Sequence, residues 1–358
     1  MHQALDNTIQ MRCRINKRTV FRFLSGDPLK TSWGRIGRKY RESWFVVNKI
    51  YLFIVLIIFL VINSGLFLFG FIVSLLFFIR GIITAKIPIE PNESFYFRTY
   101  TYKQVGSAAL RLDIWYPNQK KAVYPLVFFA HGGGWVSGFR KQPNNISWCK
   151  FLASKGFAAV SIDYRLAMRH NMKIISNDYT DALDFVKTNA ELLKINRDSI
   201  LLMGLSAGGH LALRYASYYT FINHETKMKG IKGVIAFYAP SDLSDIFNKD
   251  SKSIFARFAT VATLKGSPKN NPDLYFYYSP IEWISERMVP TLLVHGKMDT
   301  VVPYISSRNL ATEIKSKNIT CKLLIHQEGG HGFETHRTDF HTIRILEETI
   351  RFMKSLAN

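Results

Sequence analysis

Residues 199–217, SILLMGLSAGGHLALRYAS, change character at their middle. Ser199 to Met203 form an apolar run of strand length. After Gly209, Leu211, Ala212, Leu213 and Ala216 recur at helical spacing. Between the two lies Gly204-Leu205-Ser206-Ala207-Gly208. Small residues two before and two after the serine let the backbone turn sharply, and the helix that follows offers unpaired N–H groups to negative charge. A serine held on such a strand-to-helix turn is poised as a nucleophile. Composition alone yields about 0.1 such matches in a chain of this size, so the pattern needs support from elsewhere.

The rest of the chain repeats the strand-then-helix rhythm. Phe95 to Gln104 and Ala108 to Tyr116 alternate apolar and polar residues and read as an antiparallel pair turning near Gly106. Pro125 to Ala130 is a fully apolar strand, as expected of a sheet covered on both faces; Phe157 to Ile162, Gly233 to Tyr238, Thr291 to His295 and Lys322 to His326 continue the series. Helical patterns fall at 145–154, 177–193, 304–317 and 336–356. This alternation predicts an α/β fold, a mostly parallel central sheet with helices on both faces. Residues 240–286 break the rhythm with mixed polar and aromatic sequence and are expected to form a small cap insertion.

In such sheets chemistry gathers beyond the C-terminal ends of the strands. After Ala130 comes His131-Gly132-Gly133-Gly134-Trp135. Three consecutive glycines leave backbone N–H groups uncovered, as an oxyanion hole requires. By composition, a His followed by three glycines occurs only about 0.002 times by chance here. Gly133 and Gly134 are the expected donors, with Gly132 possible, joined by the N–H of Ala207. Trp135 and Leu205 are candidates for the substrate pocket.

A serine nucleophile needs a base, normally a histidine oriented by a carboxylate. His131 belongs to the glycine loop, His210 to the elbow helix, and His295 and His326 to strands. His336 and His341 read as surface residues. His331 follows the last strand, in the glycine-rich Glu328-Gly329-Gly330-His331-Gly332-Phe333, where the base belongs in the chain order Ser, acid, His. Asp299, after the strand that ends at His295, is the expected acid; Asp242 and Asp245 are the fallback. No metal or cofactor is expected.

HGGGW, Ser161-Ile162-Asp163-Tyr164-Arg165, GLSAGGHLAL, Ser279-Pro280 with the run Pro290 to Pro303, and GGHGF occur in that order. Over residues 95–356 the chain resembles α/β-hydrolase-fold serine esterases of the hormone-sensitive-lipase-like and feruloyl/acetyl-esterase-like groups. The resemblance implies hydrolysis of carboxylic esters through an acyl-enzyme, with Asp163 and Arg165 structural. Many hormone-sensitive-lipase-like members carry Asp or Glu before the serine; Leu205 here draws the chain toward the second group. An N-terminal anchor before such a domain also resembles prenylcysteine methylesterases and arylacetamide-deacetylase-like enzymes, and kynurenine formamidases share a variant of the glycine loop. Non-catalytic alternatives are a triad-bearing binding protein and an anionic-lipid binder.

Residues 1–94 lie outside that resemblance. The net charge of the 358-residue chain is +21. Residues 1–49 hold 11 basic and three acidic residues, mixed with Phe21, Phe23, Trp33 and Trp44. They suit either an interfacial segment or a disordered basic arm; beside a membrane, this mixture fits anionic lipid better than nucleic acid. Residues 50–79 carry no charge, more than the roughly 20 apolar residues that span a bilayer. The domains expected are therefore a basic segment 1–49, a membrane anchor 50–86 and a hydrolase domain 87–358. The anchor is read as one long span, with a hairpin turning at Asn63-Ser64-Gly65 as the alternative. A single span places the N-terminus in the cytoplasm. Cys13, Cys149 and Cys321 are too few and too scattered for a disulfide framework or a structural zinc site. The expected partners are a small to medium ester, possible in a membrane setting, and membrane lipid.

Overall fold

The computed structural model describes residues 53–58, 60–73 and 85–357. The basic segment 1–49, Cys13 and the flanks of the apolar run lie outside the described residues. The chain divides into two compact units, Met1–Leu76 and Phe77–Asn358. In the first, α1 (Phe53–Val73) is 21 residues long, with a mean hydropathy of 2.6 over its most apolar window. By length and composition it could cross a membrane. The helix continues through Ser64, whose hydroxyl donates to the carbonyls of Leu60 and Val61. Asn63-Ser64-Gly65 therefore forms no turn.

The second unit is built on one eight-stranded sheet. In chain order its strands are β1 (Phe97–Val105), β2 (Ala108–Trp115), β3 (Tyr124–Ala130), β4 (Ala158–Ile162), β5 (Ile195–Leu205), β6 (Ile231–Phe237), β7 (Thr291–Gly296) and β8 (Cys321–His326). They lie in the order β1-β2-β4-β3-β5-β6-β7-β8. β1 pairs antiparallel with β2, and β2 antiparallel with β4; every other pairing is parallel. The helices are α2 (Pro143–Ser154), α3 (Met172–Thr188), α4 (Ala207–Phe221), α5 (Glu225–Met228), α6 (Ile254–Leu264), α7 (Pro272–Tyr278), α8 (Tyr304–Ser316) and α9 (Phe340–Ala357).

Because successive side chains leave a strand on opposite faces, each apolar run feeds two cores. Leu126, Phe128, Ile200 and Leu202 join one cluster with Tyr179 and Leu183 of α3 and Leu211 of α4. Val127, Phe129, Leu201 and Met203 join another with Trp148 and Phe151 of α2 and Leu346 of α9. Burial on both faces explains why these strands lack polar alternation. The parallel strands leave the C-terminal ends of β3, β5, β7 and β8 along one edge. α6 and α7 occupy the insertion between β6 and β7.

One helix departs from expectation: α3 runs over 172–188 rather than 177–193. The Asn171 side chain accepts from the Ile174 N–H and starts the helix early. Past Asn189 the backbone instead turns into β5, where the Ile195 N–H donates to the Ala190 carbonyl.

Candidate active site

Ser206 follows β5 and precedes α4, at φ 50° and ψ −115°, a conformation L-residues rarely adopt. Its N–H donates to Phe237 O of β6 at 2.8 Å. The turn closes because Gly208 has no side chain: a Cβ there would stand 2.1 Å from the carbonyl oxygen of Ala130. The turn at Ser206 is thus pressed against the end of β3, from which the glycine loop departs.

That loop is held from its other side. The Tyr164 hydroxyl donates to the carbonyl of His131, and the two rings stack with centroids 4.2 Å apart. Nδ1 of His131 donates to Gly132 O at 2.7 Å. Gly133, at φ 112°, accepts on its carbonyl from Val136 and Ser137 N–H, whereas the N–H groups of Gly133 and Gly134 donate to nothing among the described residues. Ala207 is the first residue of α4, where N–H groups have no intrahelical acceptor.

His331 lies beyond β8, and Asp299 beyond β7. The two loops are tied together by the Lys297 N–H donating to His326 O and the Met298 N–H to Gly329 O, each 2.9 Å. Nε2 of His331 stands 3.0 Å from Ser206 Oγ, and Nδ1 stands 2.7 Å from Asp299 Oδ2. With the Nδ1 proton donated to the carboxylate, Nε2 is left to accept from the serine hydroxyl. The other carboxylate oxygen accepts from the Val301 and Val302 N–H groups at 2.8 and 3.0 Å. Burial pushes the Asp299 carboxyl up, but the charge of His331 and the hydrogen bonds from His295 and His331 outweigh it. The group is held well below the usual carboxylate range.

Of the expected residues, Ser206, His331, Asp299, Gly132, Gly133, Gly134 and Ala207 come together, and Trp135 and Leu205 line the spaces beside Ser206. Asp242 and Asp245 do not join them. Asp242 caps a short 3-10 turn by accepting from Ser244 N–H, and Asp245 accepts from Asn248. Asp163 accepts from the backbone and guanidinium of Arg140, and Arg165 pairs with Asp178 through two bonds of 2.7 Å. His336 and His341 are exposed.

Other neighbours were not apparent from the sequence. The Tyr238 ring packs 4.5 Å from the His331 ring, and its hydroxyl donates to Glu334 Oε1 at 2.6 Å. Burial raises the Glu334 carboxyl. His295, buried in β7, meets Asp299. The local sequence marks Tyr238 only as the last residue of an apolar strand, and His295 only as part of one.

Two spaces flank Ser206. One, about 210 Å³, is largely apolar and walled by Trp135, Ile246, Phe255, Val302 and Ala207. The other, about 370 Å³, is open and more polar, with Gln142, Asn144, Tyr238, Thr335 and His336. Among the described residues no group of three or more His, Cys, Asp or Glu side chains is arranged to hold a metal ion.

The BD-FAE family model matches residues 112–314, more than half of the chain, from the second half of β2 through β7. The chain belongs to the BD-FAE family. Its relatives include the esterase LipC of Mycobacterium tuberculosis, 24% identical over 230 residues. Another is a rice protein named "Probable isoprenylcysteine alpha-carbonyl methylesterase", 26% identical over 239 residues. The matches take in 62% of this chain in both cases, and 57% and 55% of those proteins, so the chain spans little more than half of their length. A butyrate-bound esterase, Est2 of Thermogutta terrifontis, superposes with a TM-score of 0.59 at 26% identity. That superposition covers 72% of this chain and 93% of Est2. The BD-FAE chain thus has the α/β-hydrolase architecture of these esterases, with helices packed on a mostly parallel sheet.

Proposed function

We propose that the protein hydrolyses carboxylic esters through an acyl-enzyme on Ser206. The unbroken line of hydrogen bonds from Ser206 Oγ through His331 to Asp299, facing the undonated N–H groups of Gly133 and Gly134, carries this reading. Ser206 Oγ attacks the ester carbonyl carbon as His331 Nε2 takes its proton. The carbonyl oxygen becomes an oxyanion within reach of the N–H groups of Gly133, Gly134 and Ala207. Collapse breaks the ester C–O bond, and His331 returns the proton to the departing alcohol. Water, deprotonated by the same imidazole, then releases the acid and restores Ser206.

The enclosed apolar space is read as the acyl side and the open polar space as the alcohol side. About 210 Å³, at roughly 30 Å³ per water-sized group, admits an acyl chain of about six or seven heavy atoms. The butyrate held by Est2 supports a short acyl group. In this reading α1 anchors the domain in a membrane, with Phe77–Asn358 as the hydrolase unit and 240–286 as its cap. The likeness to the rice methylesterase, together with α1, supports a second reading in which the ester is a methyl ester on a lipid-modified cysteine.

Labelling with a serine-reactive fluorophosphonate tests the nucleophile, and unchanged labelling of Ser206→Ala would overturn it. Asp299→Asn is expected to lower nitrophenyl acetate hydrolysis by about 10³- to 10⁴-fold, and Asp242→Asn by no more than about twofold. A prenylcysteine methyl ester in the same assay separates the two substrate readings.

A further inference from the structure

Arg214, two turns along α4 from Ser206, is a buried cation without a counter-ion. It is 6% exposed, and none of the ion pairs among the described residues includes it. Its guanidinium is caged by aromatic rings, 4.1 Å from the Tyr218 centroid, 4.7 Å from Tyr277 and 5.2 Å from Trp283. Its Nε donates to Tyr277 O at 3.0 Å, and the Tyr277 side chain is a further hydrogen-bonding neighbour of the guanidinium. A mostly buried guanidinium without a carboxylate partner is costly unless rings, water or a ligand meet it.

A cavity of about 360 Å³ opens beside it, between α3, α4 and α7. Its wall carries two cations, Arg214 and Lys173, and no carboxylate. Most of the remainder is tyrosine. The cavity shares no lining residue with either space around Ser206. A guanidinium with no carboxylate partner among the described residues therefore faces one aromatic-walled chamber.

We infer that this chamber is a second binding site, for a small aromatic carboxylate. The carboxylate takes the N–H edge of Arg214, whose planar fork matches its two oxygens. The ring lies against the tyrosines in an offset or edge-to-face arrangement. Lys173 adds positive charge at the rim. At roughly 30 Å³ per water-sized group, the volume admits about ten non-hydrogen atoms, enough for one ring and its carboxylate.

Calorimetric titration of the full chain in detergent with benzoate tests the inference, alongside benzamide, its neutral counterpart, and acetate, which lacks the ring. Benzoate is expected to bind with a Kd of about 1 mM or tighter. Benzamide and acetate are each expected to bind at least about tenfold more weakly, and Arg214→Gln to weaken benzoate by at least about tenfold. Lys173→Gln, which leaves the Arg214 cage intact, is expected to weaken it about threefold. It decides the matter, with the benzamide comparison, if Arg214→Gln does not fold. No binding of benzoate at about 10 mM, equal binding of benzamide, equal binding of acetate, or full affinity in the folded variants each overturns the assignment. Residual binding at the Ser206 site would be insensitive to both substitutions, so the outcome does not depend on the ester-hydrolase reading.

Discussion

Nε2 of His295 lies 3.3 Å from Oδ2 of Asp299, the oxygen that also accepts from His331 Nδ1. The same nitrogen stands 3.0 Å from the carbonyl of Val302, while Nδ1 stands 2.7 Å from Ser307 Oγ. Two acceptors around Nε2 assign the proton to that nitrogen, leaving Nδ1 to accept from the serine. His295 thus holds the same Asp299 oxygen that His331 uses, without a contact to Ser206.

His295→Gln is therefore expected to lower kcat by about tenfold and change KM by less than about twofold, because it loosens the base rather than the substrate site. Steady-state kinetics on nitrophenyl acetate measure both constants. Ser307→Ala, which removes only the Nδ1 partner, is expected to have a smaller effect. A fall in thermal stability with kcat unchanged would leave His295 a packing residue.

Close approach of backbones at the elbow yields a second expectation. An alanine Cβ at Gly208 would lie 2.1 Å from Ala130 O and 2.6 Å from His131 O, both backbone atoms with little freedom to retreat. Gly208→Ala is expected to cost more than about 3 kcal/mol and to displace the glycine loop from Ser206. Gly106→Ala provides the contrast: at φ 56° with nothing within 4 Å, it carries only the left-handed penalty of roughly 1–2 kcal/mol. Urea denaturation of the two variants compares the costs.

Much of this was legible in the sequence because the C-terminal stretches of the parallel strands are mostly apolar and lead into the residues gathered around Ser206. Gly204 to Gly208, the triple glycine, Asp299 and His331 each follow such a run, and the sheet brings those ends together. What stayed hidden depends on contacts between distant segments. Asp299 and Asp242 look alike as aspartates after strands; only the three-dimensional path gives one to His331 and the other to the Ser244 N–H. His295 reads as one more residue of β7, and Tyr238 as the end of β6, since their contacts with Asp299 and His331 lie outside any local spacing. The start of α3 was missed because Asn171 lies before the apolar periodicity and acts through one side-chain hydrogen bond. Arg214 sits in an ordinary helical pattern; its aromatic cage comes from Tyr277 and Trp283, more than 60 positions away.

Two buried histidines set the acid limit of the fold. Burial pushes His131 down to about 4 and His210 to about 3. In the unfolded chain both titrate near 6.5, so below that pH the unfolded state binds protons that the folded state refuses. Stability is thus complete above about pH 6.5 and falls as pH drops toward the folded values, by on the order of 3 kcal/mol from His131 alone. Glu334, raised by burial, acts in the opposite direction: its neutral form favours folding as pH falls, which offsets part of the loss. Asp299, held low, adds a further loss only below the ordinary carboxylate range. His210 Nε2 donates to Tyr278 O, a bond a glutamine amide can replace. Denaturant titrations at about pH 7 and pH 5 are expected to show a smaller loss in His210→Gln than in the unaltered protein.

The enclosed space beside Ser206 makes acyl length the property most open to redesign. Phe255 and Ile246 come from the insertion between β6 and β7 and form its far wall, with Gly134 and Val302 on the domain side. Nitrophenyl esters from acetate to about hexanoate are expected to be cleaved at comparable kcat/KM, with a fall of at least about tenfold by the decanoate, whose tail exceeds the volume. Phe255→Ala removes a half-exposed ring from that wall without touching Ser206, His331 or Asp299. It is expected to move the fall toward longer chains while leaving acetate within about threefold of the parent enzyme. Thr260→Phe, which fills the space from the same helix, is expected to reverse the shift and restrict turnover to the shortest esters. An unchanged length profile in both variants would assign the acyl chain to the open side instead, where Leu205, Tyr238 and His336 would then set the limit.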